Sequence, residues 1–388
     1  MQPLVKKLCL LGLAGSLTAP AWAQAQDLES EVQSLMEENR RLAERLRQVE
    51  EELVTNRAPV SEEAEDTSLL QETKRRLDIS GLLEVEAFAR SGFDQDESDL
   101  TLATAALDVH AALNDWAAAH LLLLWEEDAT EPVEVDEAAI SLADPERWPL
   151  SLNAGKIYVP FGLYASYMVQ DPLTLELGET NASALQLGLE HAGFYGSLYA
   201  FNGDIEEAGS EDTIDNFGAS VGYVGEWDGF GLNVGVDYIN NLAEADATVD
   251  ALDKESIQDY VGGVGAHLHL SSGPFTFYSE YIAALDQFAP GELEFEGLGA
   301  EPRAWHLEAA YTRTLLGKVA TLAVSYQGTA EAVDLGLPET RYLAAVNVAL
   351  TDSLFWTLEY AHDKDYSLEE NGTGGDADMV TTQLSLEF

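Results

Sequence analysis

Carboxylates are the chemistry this chain has in quantity: 70 Asp and Glu stand against 19 Lys and Arg, for a formal charge of −51. Between Arg90 and Lys254 the only basic residues are Arg147 and Lys156. Glu84, Glu86, Asp237, Glu280, Glu308 and Glu359 lie in stretches where polar and apolar residues alternate, each on the polar phase. Lys156 and Arg341 are the few basic residues read onto the same face. Such a surface attracts cations and repels nucleic acid and anionic headgroups. Adaptation to strong salt, where screening shortens repulsion to about 3 Å at 1 M, explains the same composition. Catalysis has little to work with. His267 and His269 share a face at strand spacing and could chelate a metal, but a pair on one strand is also ordinary polar lining, so neither metal nor cofactor is expected. No histidine stands securely on an outer face where a Ser/His pair would be needed, and Cys9 is the only cysteine, so the chain is not read as an enzyme.

The first residues have the composition of an export signal, with Lys6 and Lys7, an apolar run over 8–17, and Ala21-Trp22-Ala23 as a small-x-small cleavage site. The apolar run is too short for a spanning helix, which needs about 20 residues, and no longer one occurs. Residues 1–23 are therefore read as a signal peptide. Residues 27–54 carry Leu28, Val32, Leu35, Asn39, Leu42, Leu46, Val49 and Leu53 at alternating spacings of four and three, the pattern of a coiled coil that joins protomers, most simply three. Asn39 at a core position costs stability and fixes register. An acidic linker follows over 55–77.

From 78 to 388 the pattern is strand after strand, with two-residue alternation clearest at Leu232–Tyr238, Trp305–Tyr311 and Leu354–Tyr360. Seven short turns alternate with eight long, acidic loops, which gives about 16 strands and the turn asymmetry of an antiparallel transmembrane β-barrel. Tyr238, Tyr260, Tyr311, Tyr326, Tyr342 and Tyr360 near the long loops, with Trp116 and Trp227 near short turns, read as interfacial girdles. Leu384, Leu386 and Phe388 close the last strand as its lipid-facing phase and as the signal expected to engage the barrel-assembly machinery. The fold class is thus all-β: an outer-membrane barrel of about 16 strands preceded by a short α-helical coiled coil on the periplasmic side. At this strand number side chains do not fill the interior, so an aqueous channel is expected.

The third long loop, 158–180, is unusually aromatic, with Tyr158, Phe161, Tyr164 and Tyr167 among the acids Asp171, Glu176 and Glu179. Apolar side chains of this size want cover. The expectation is that the loop folds into the lumen as a constriction and that these seven residues contact solute; packing against a neighbouring protomer is the alternative. Gly155-Lys156-Ile157-Tyr158-Val159-Pro160-Phe161-Gly162, followed by Asp171-Pro172-Leu173-Thr174-Leu175-Glu176-Leu177-Gly178-Glu179-Thr180 and Ser183-Ala184-Leu185, resembles the LbtU-family siderophore porins. That resemblance implies a barrel that passes ferric siderophore without an internal plug domain. The residues alone leave open a general cation-preferring porin and, more remotely, a structural protein anchoring the envelope.

Overall fold

The computed structural model describes residues 76–388 except 93–95, 128–129, 210–212 and 253–255. The signal peptide, the heptads and nearly all of the linker lie outside the described residues. Sixteen strands close into one antiparallel barrel in which every strand pairs with its sequence neighbours and the last returns to the first. They are Leu77–Gly92 (β1), Glu97–Asn114 (β2), Ala117–Glu126 (β3), Thr130–Ala143 (β4), Leu150–Tyr158 (β5), Asn181–His191 (β6), Phe194–Phe201 (β7) and Asn216–Trp227 (β8). The second half comprises Phe230–Ile239 (β9), Gly263–Ser272 (β10), Phe275–Ala284 (β11), Arg303–Leu315 (β12), Lys318–Ala330 (β13), Thr340–Ala349 (β14), Leu354–Lys364 (β15) and Asp376–Glu387 (β16). β1 begins at Leu77, the last residue read into the linker.

The alternation sets the facing. On β16, Val380, Leu384 and Leu386 are exposed outward while Thr381, Gln383 and Ser385 are buried inward, and a one-residue slip would exchange the two sets. Closure is made by pairs running from Leu82 with Glu387 to Gly92 with Ala377, and the seam ends where Gly81 N–H donates to the Phe388 carbonyl at 2.8 Å. With no free edge, every strand finds backbone partners on both sides, the condition for non-helical backbone in a bilayer. Outward Tyr281, Tyr326, Tyr342 and Tyr360 ring the long-loop end, Tyr326 lying 5.2 Å from Tyr342 between ring centres. Two girdle assignments change. Tyr311 pairs with Phe275 at the short-turn end, and Tyr260 lies in the connection before β10, donating to Asp215.

Candidate functional site

The connection from Tyr158 to Asn181 forms no strand, and its one helix, α1, is only Leu173–Gly178. Its backbone N–H groups must therefore find acceptors elsewhere. The barrel wall supplies them. Gly162 N–H donates to Asp237 on β9, Leu163 and Tyr164 N–H donate to Glu280 on β11, and Tyr167 N–H donates to Glu308 on β12 at 2.8 Å. Val169 and Gln170 N–H then reach Glu359 on β15. On the way back, Leu173 N–H donates to Gln327 on β13 and Thr174 Oγ1 returns to Glu280 at 2.7 Å. Ser166 Oγ adds a bond to Glu308 and Asn347 Nδ2 donates to the Tyr167 carbonyl. The segment thus lies inside the barrel, running round the inner wall from β9 to β15 and back, fixed at each step by a side chain of the wall.

This arrangement corrects the reading of the carboxylates as open channel lining. Glu308 and Glu359 are each 1% exposed, and Glu280 and Asp237 are also buried beneath the loop. A buried carboxylate is tolerable because several donors converge on it, each charge-assisted bond being worth about 1.5–3 kcal/mol. The histidines serve the same layer. His306 Nε2 is 3.3 Å from Glu308, His267 Nδ1 is 3.5 Å from Asp237, and Tyr195 meets His267 Nε2 at 2.9 Å. His269 lies against the Tyr278 ring at 4.5 Å instead of joining His267, and among the described residues no group of carboxylates and histidines is spaced to hold a metal ion.

The loop's other face is apolar. Phe161, Tyr164, Leu173, Leu175 and Leu177 pack with Leu242, Phe288, Ala300 and Leu335 from the later long loops in one buried cluster. Phe161 and Tyr164 therefore face protein, away from any solute, because burying them is what seats the loop. Tyr164 has φ of 52°, and Gly162, at φ 85°, leaves room for its ring: a Cβ there would collide with the phenol. A Cβ on Gly178 of α1 would likewise collide with the Tyr164 hydroxyl. Burial raises the Tyr164 phenol well above its usual range, with Glu280, Glu179 and Asp237 adding to the effect. Glu179 is buried, Glu176 is half-buried, and Tyr158 donates to Asp136 at 2.9 Å. Tyr167 is half-buried 5.8 Å from Tyr278.

The remaining charged assignments divide. Glu84 and Glu86 point inward on β1, Gln383 Nε2 donating to Glu86 at 2.6 Å, and Arg341 forms a two-bond pair with Asp363 at 2.8 and 2.9 Å. Lys156 does not belong with them. It pairs with Ala138 and Ser183, on the phase of the exposed Ile140 and Leu185, so it stands on the outer face with its Nζ at the Val135 carbonyl. Alternation counted along β5 from Leu150 and Leu152 already carries that signal.

On the side of β1–β3 and β14–β16 the lumen holds two cavities of about 430 Å³ each, with Arg90, Gln170 and Met379 in the walls of both. One is bounded by Glu86, Thr104, Glu126, Glu127 and Asp171, the other by Arg341, Asp363 and Asp365. Arg90, Glu126, Gln170 and Met379 were not singled out from sequence. Arg90 could have been, since it continues the inward phase of Glu84 and Glu86.

No family model matches the chain. The UPF0422 protein of Coxiella burnetii is 30% identical over 336 residues, covering 81% of this chain and 72% of the relative. The UPF0422 protein lpg2959 of Legionella pneumophila is 27% identical over 356 residues, covering 80% of this chain and 66% of the relative. Among solved structures, the outer membrane channel DcaP of Acinetobacter baumannii superposes with a TM-score of 0.56 at 13% identity, covering 80% of this chain and 97% of that one. OmpF of Salmonella typhi, in complex with daunomycin, gives 0.57 at 14% identity, with 80% and 97% covered. At such identities the likeness is one of fold: a porin barrel.

Proposed function

From a chain that belongs to the UPF0422 proteins and closes as a porin-like barrel of 16 strands, we infer a passive outer-membrane channel whose solute path skirts the crest of the third loop at Gln170 and Asp171. The observation that carries this reading is the loop itself. A segment stitched across the inner wall by buried carboxylates narrows the interior without filling it, leaving the two cavities beside β1 and β14–β16. Within the channel class, passage of a ferric siderophore is the finer reading, supported by the resemblance of the block around Tyr158–Ser183. With acids outnumbering bases around the first cavity, a siderophore complex of neutral or positive charge suits the path better than a polyanionic one. The general cation-preferring porin rests on the same acids.

Two measurements separate these. Purified protein in planar bilayers under a KCl gradient should conduct with a cation-preferring reversal potential that shrinks as salt rises. Cells lacking the protein should take up radiolabelled ferric siderophore more slowly than cells carrying it, whereas equal uptake with intact conductance leaves the general porin. Absence of conductance from correctly folded barrels defeats both.

The assembly is proposed as a homotrimer in outer-membrane lipid, tied through the heptads of 27–54. Deleting those residues should leave barrels that keep heat-modifiable mobility but dissociate more readily on native gels. Equal oligomer stability with and without them would remove the heptads from that role.

A further inference from the structure

On the outer face, at the short-turn end of β4–β6, a groove of about 500 Å³ lies between Trp116 and Trp148 and runs over Leu142, Leu150, Leu152 and Leu187. Both indoles are more than half exposed, and so is the Arg147 side chain beside them. The charged residues of the groove are Asp144 and Arg147, together on the turn between β4 and β5, with Arg147 Nε 3.6 Å from Asp144 Oδ2. Among the described residues that contact leaves most of the five guanidinium donors to whatever lies at the rim. Away from the rim the groove continues, through Leu150 and Leu187, into a longer depression of about 850 Å³ across β6–β11. Gly196 and Ala219 stand there on the outward phase beside the exposed Leu198 and Val221, so the wall is recessed where larger side chains would have filled it.

We propose that this groove is a docking site for one phospholipid of the leaflet on the short-turn side, of the zwitterionic kind whose headgroup joins a phosphate to a primary ammonium. The acid and the base fix the headgroup. Arg147 donates to the phosphate and Asp144 accepts from the ammonium, so two opposite charges on one turn meet two opposite charges on one headgroup. A headgroup of net negative charge fits less well, because Asp115, Glu146 and Glu190 stand on the same rim, Glu190 N–H donating to the Pro149 carbonyl. The same acids disfavour a second copy, whose own rim would meet this one at the same depth in the membrane. Trp116 and Trp148 sit at the level where indoles line a membrane–water interface, and the acyl chains follow the leucines into the recess at Gly196 and Ala219. The groove is on the outer wall, so the site stands whether or not the lumen conducts.

Native mass spectrometry of the full chain, released from detergent after incubation with equal amounts of phosphatidylethanolamine and phosphatidylglycerol of identical acyl chains, reads the choice of headgroup. Bound phosphatidylethanolamine should persist where phosphatidylglycerol is lost. Arg147→Gln should lower that retention about two- to fivefold, the range for one exposed ion pair. Asp144→Asn should shift the choice toward phosphatidylglycerol, and Trp148→Ala should lower retention of both lipids. Arg313→Gln removes a basic residue from the short-turn end of β12, away from the groove, and should change nothing. Equal retention of the two lipids by wild type, an unshifted choice in Asp144→Asn, or equal losses in Arg147→Gln and Arg313→Gln would each reduce the bound lipid to a general annulus and overturn the site. No lipid retained by wild type, with oligomers of Trp148→Ala weakened on native gels, would give the groove to a second copy instead. Should Trp148→Ala lose heat-modifiable mobility, Trp116→Ala carries the same comparison, and unchanged retention there counts against the proposal.

Discussion

Replacing Glu280 and Glu308 together with alanine is expected to raise single-channel conductance severalfold and to turn the third loop into a protease substrate. Glu280 takes the N–H groups of Leu163 and Tyr164 and the Thr174 hydroxyl, and Glu308 takes Tyr167 N–H and the Ser166 hydroxyl. Without them these donors face the emptied wall, each lost charge-assisted bond costing about 1.5–3 kcal/mol. The barrel should survive, because its ladder does not pass through these side chains. Glutamine at both positions retains an acceptor oxygen and should give a smaller rise. Unaltered conductance and protease resistance in the alanine variant, with the barrel intact by gel mobility, would mean that the wall carboxylates do not hold the loop.

Tyr164→Ala is expected to weaken the loop's seat by about 3–5 kcal/mol, the range for emptying a buried aromatic site. Gly162 and Gly178 both lie against the phenol, so its loss leaves space that neither glycine can fill. Tyr167→Ala should cost much less, since that ring is only half-buried. Limited proteolysis and differential scanning calorimetry of the two variants test the contrast, and equal effects would contradict the packing described. The phenol adds a pH signature. Burial keeps it protonated beyond the ordinary value of about 10, so above that pH the unfolded chain releases a proton that the folded one retains. Stability of the seated loop should therefore fall as pH rises past that value, and Tyr164→Phe should flatten that part of the profile.

Alternation and turn spacing determined the barrel before any tertiary contact was known. A spanning strand has one face in lipid and one in the lumen, so Leu384, Leu386 and Phe388 declare their side from their order alone, and an even number of such strands must close. The same logic placed Glu280, Glu308 and Glu359 inside, since a charge facing lipid is costly. The aromatic content of the third loop likewise announced that it needs cover.

What those inward carboxylates face was decided only in three dimensions. Their partners are backbone N–H groups more than 100 residues away in sequence, and a backbone donor has no residue type by which a sequence could reveal it. The same long-range packing put Phe161 and Tyr164 against protein and left Gln170 and Asp171 at the crest, because which face of an irregular loop turns to the wall depends on shape and not on period. Lys156 shows the converse case: alternation along its strand carried the answer, and the pairing register with Ala138 and Ser183 set it on the outer face.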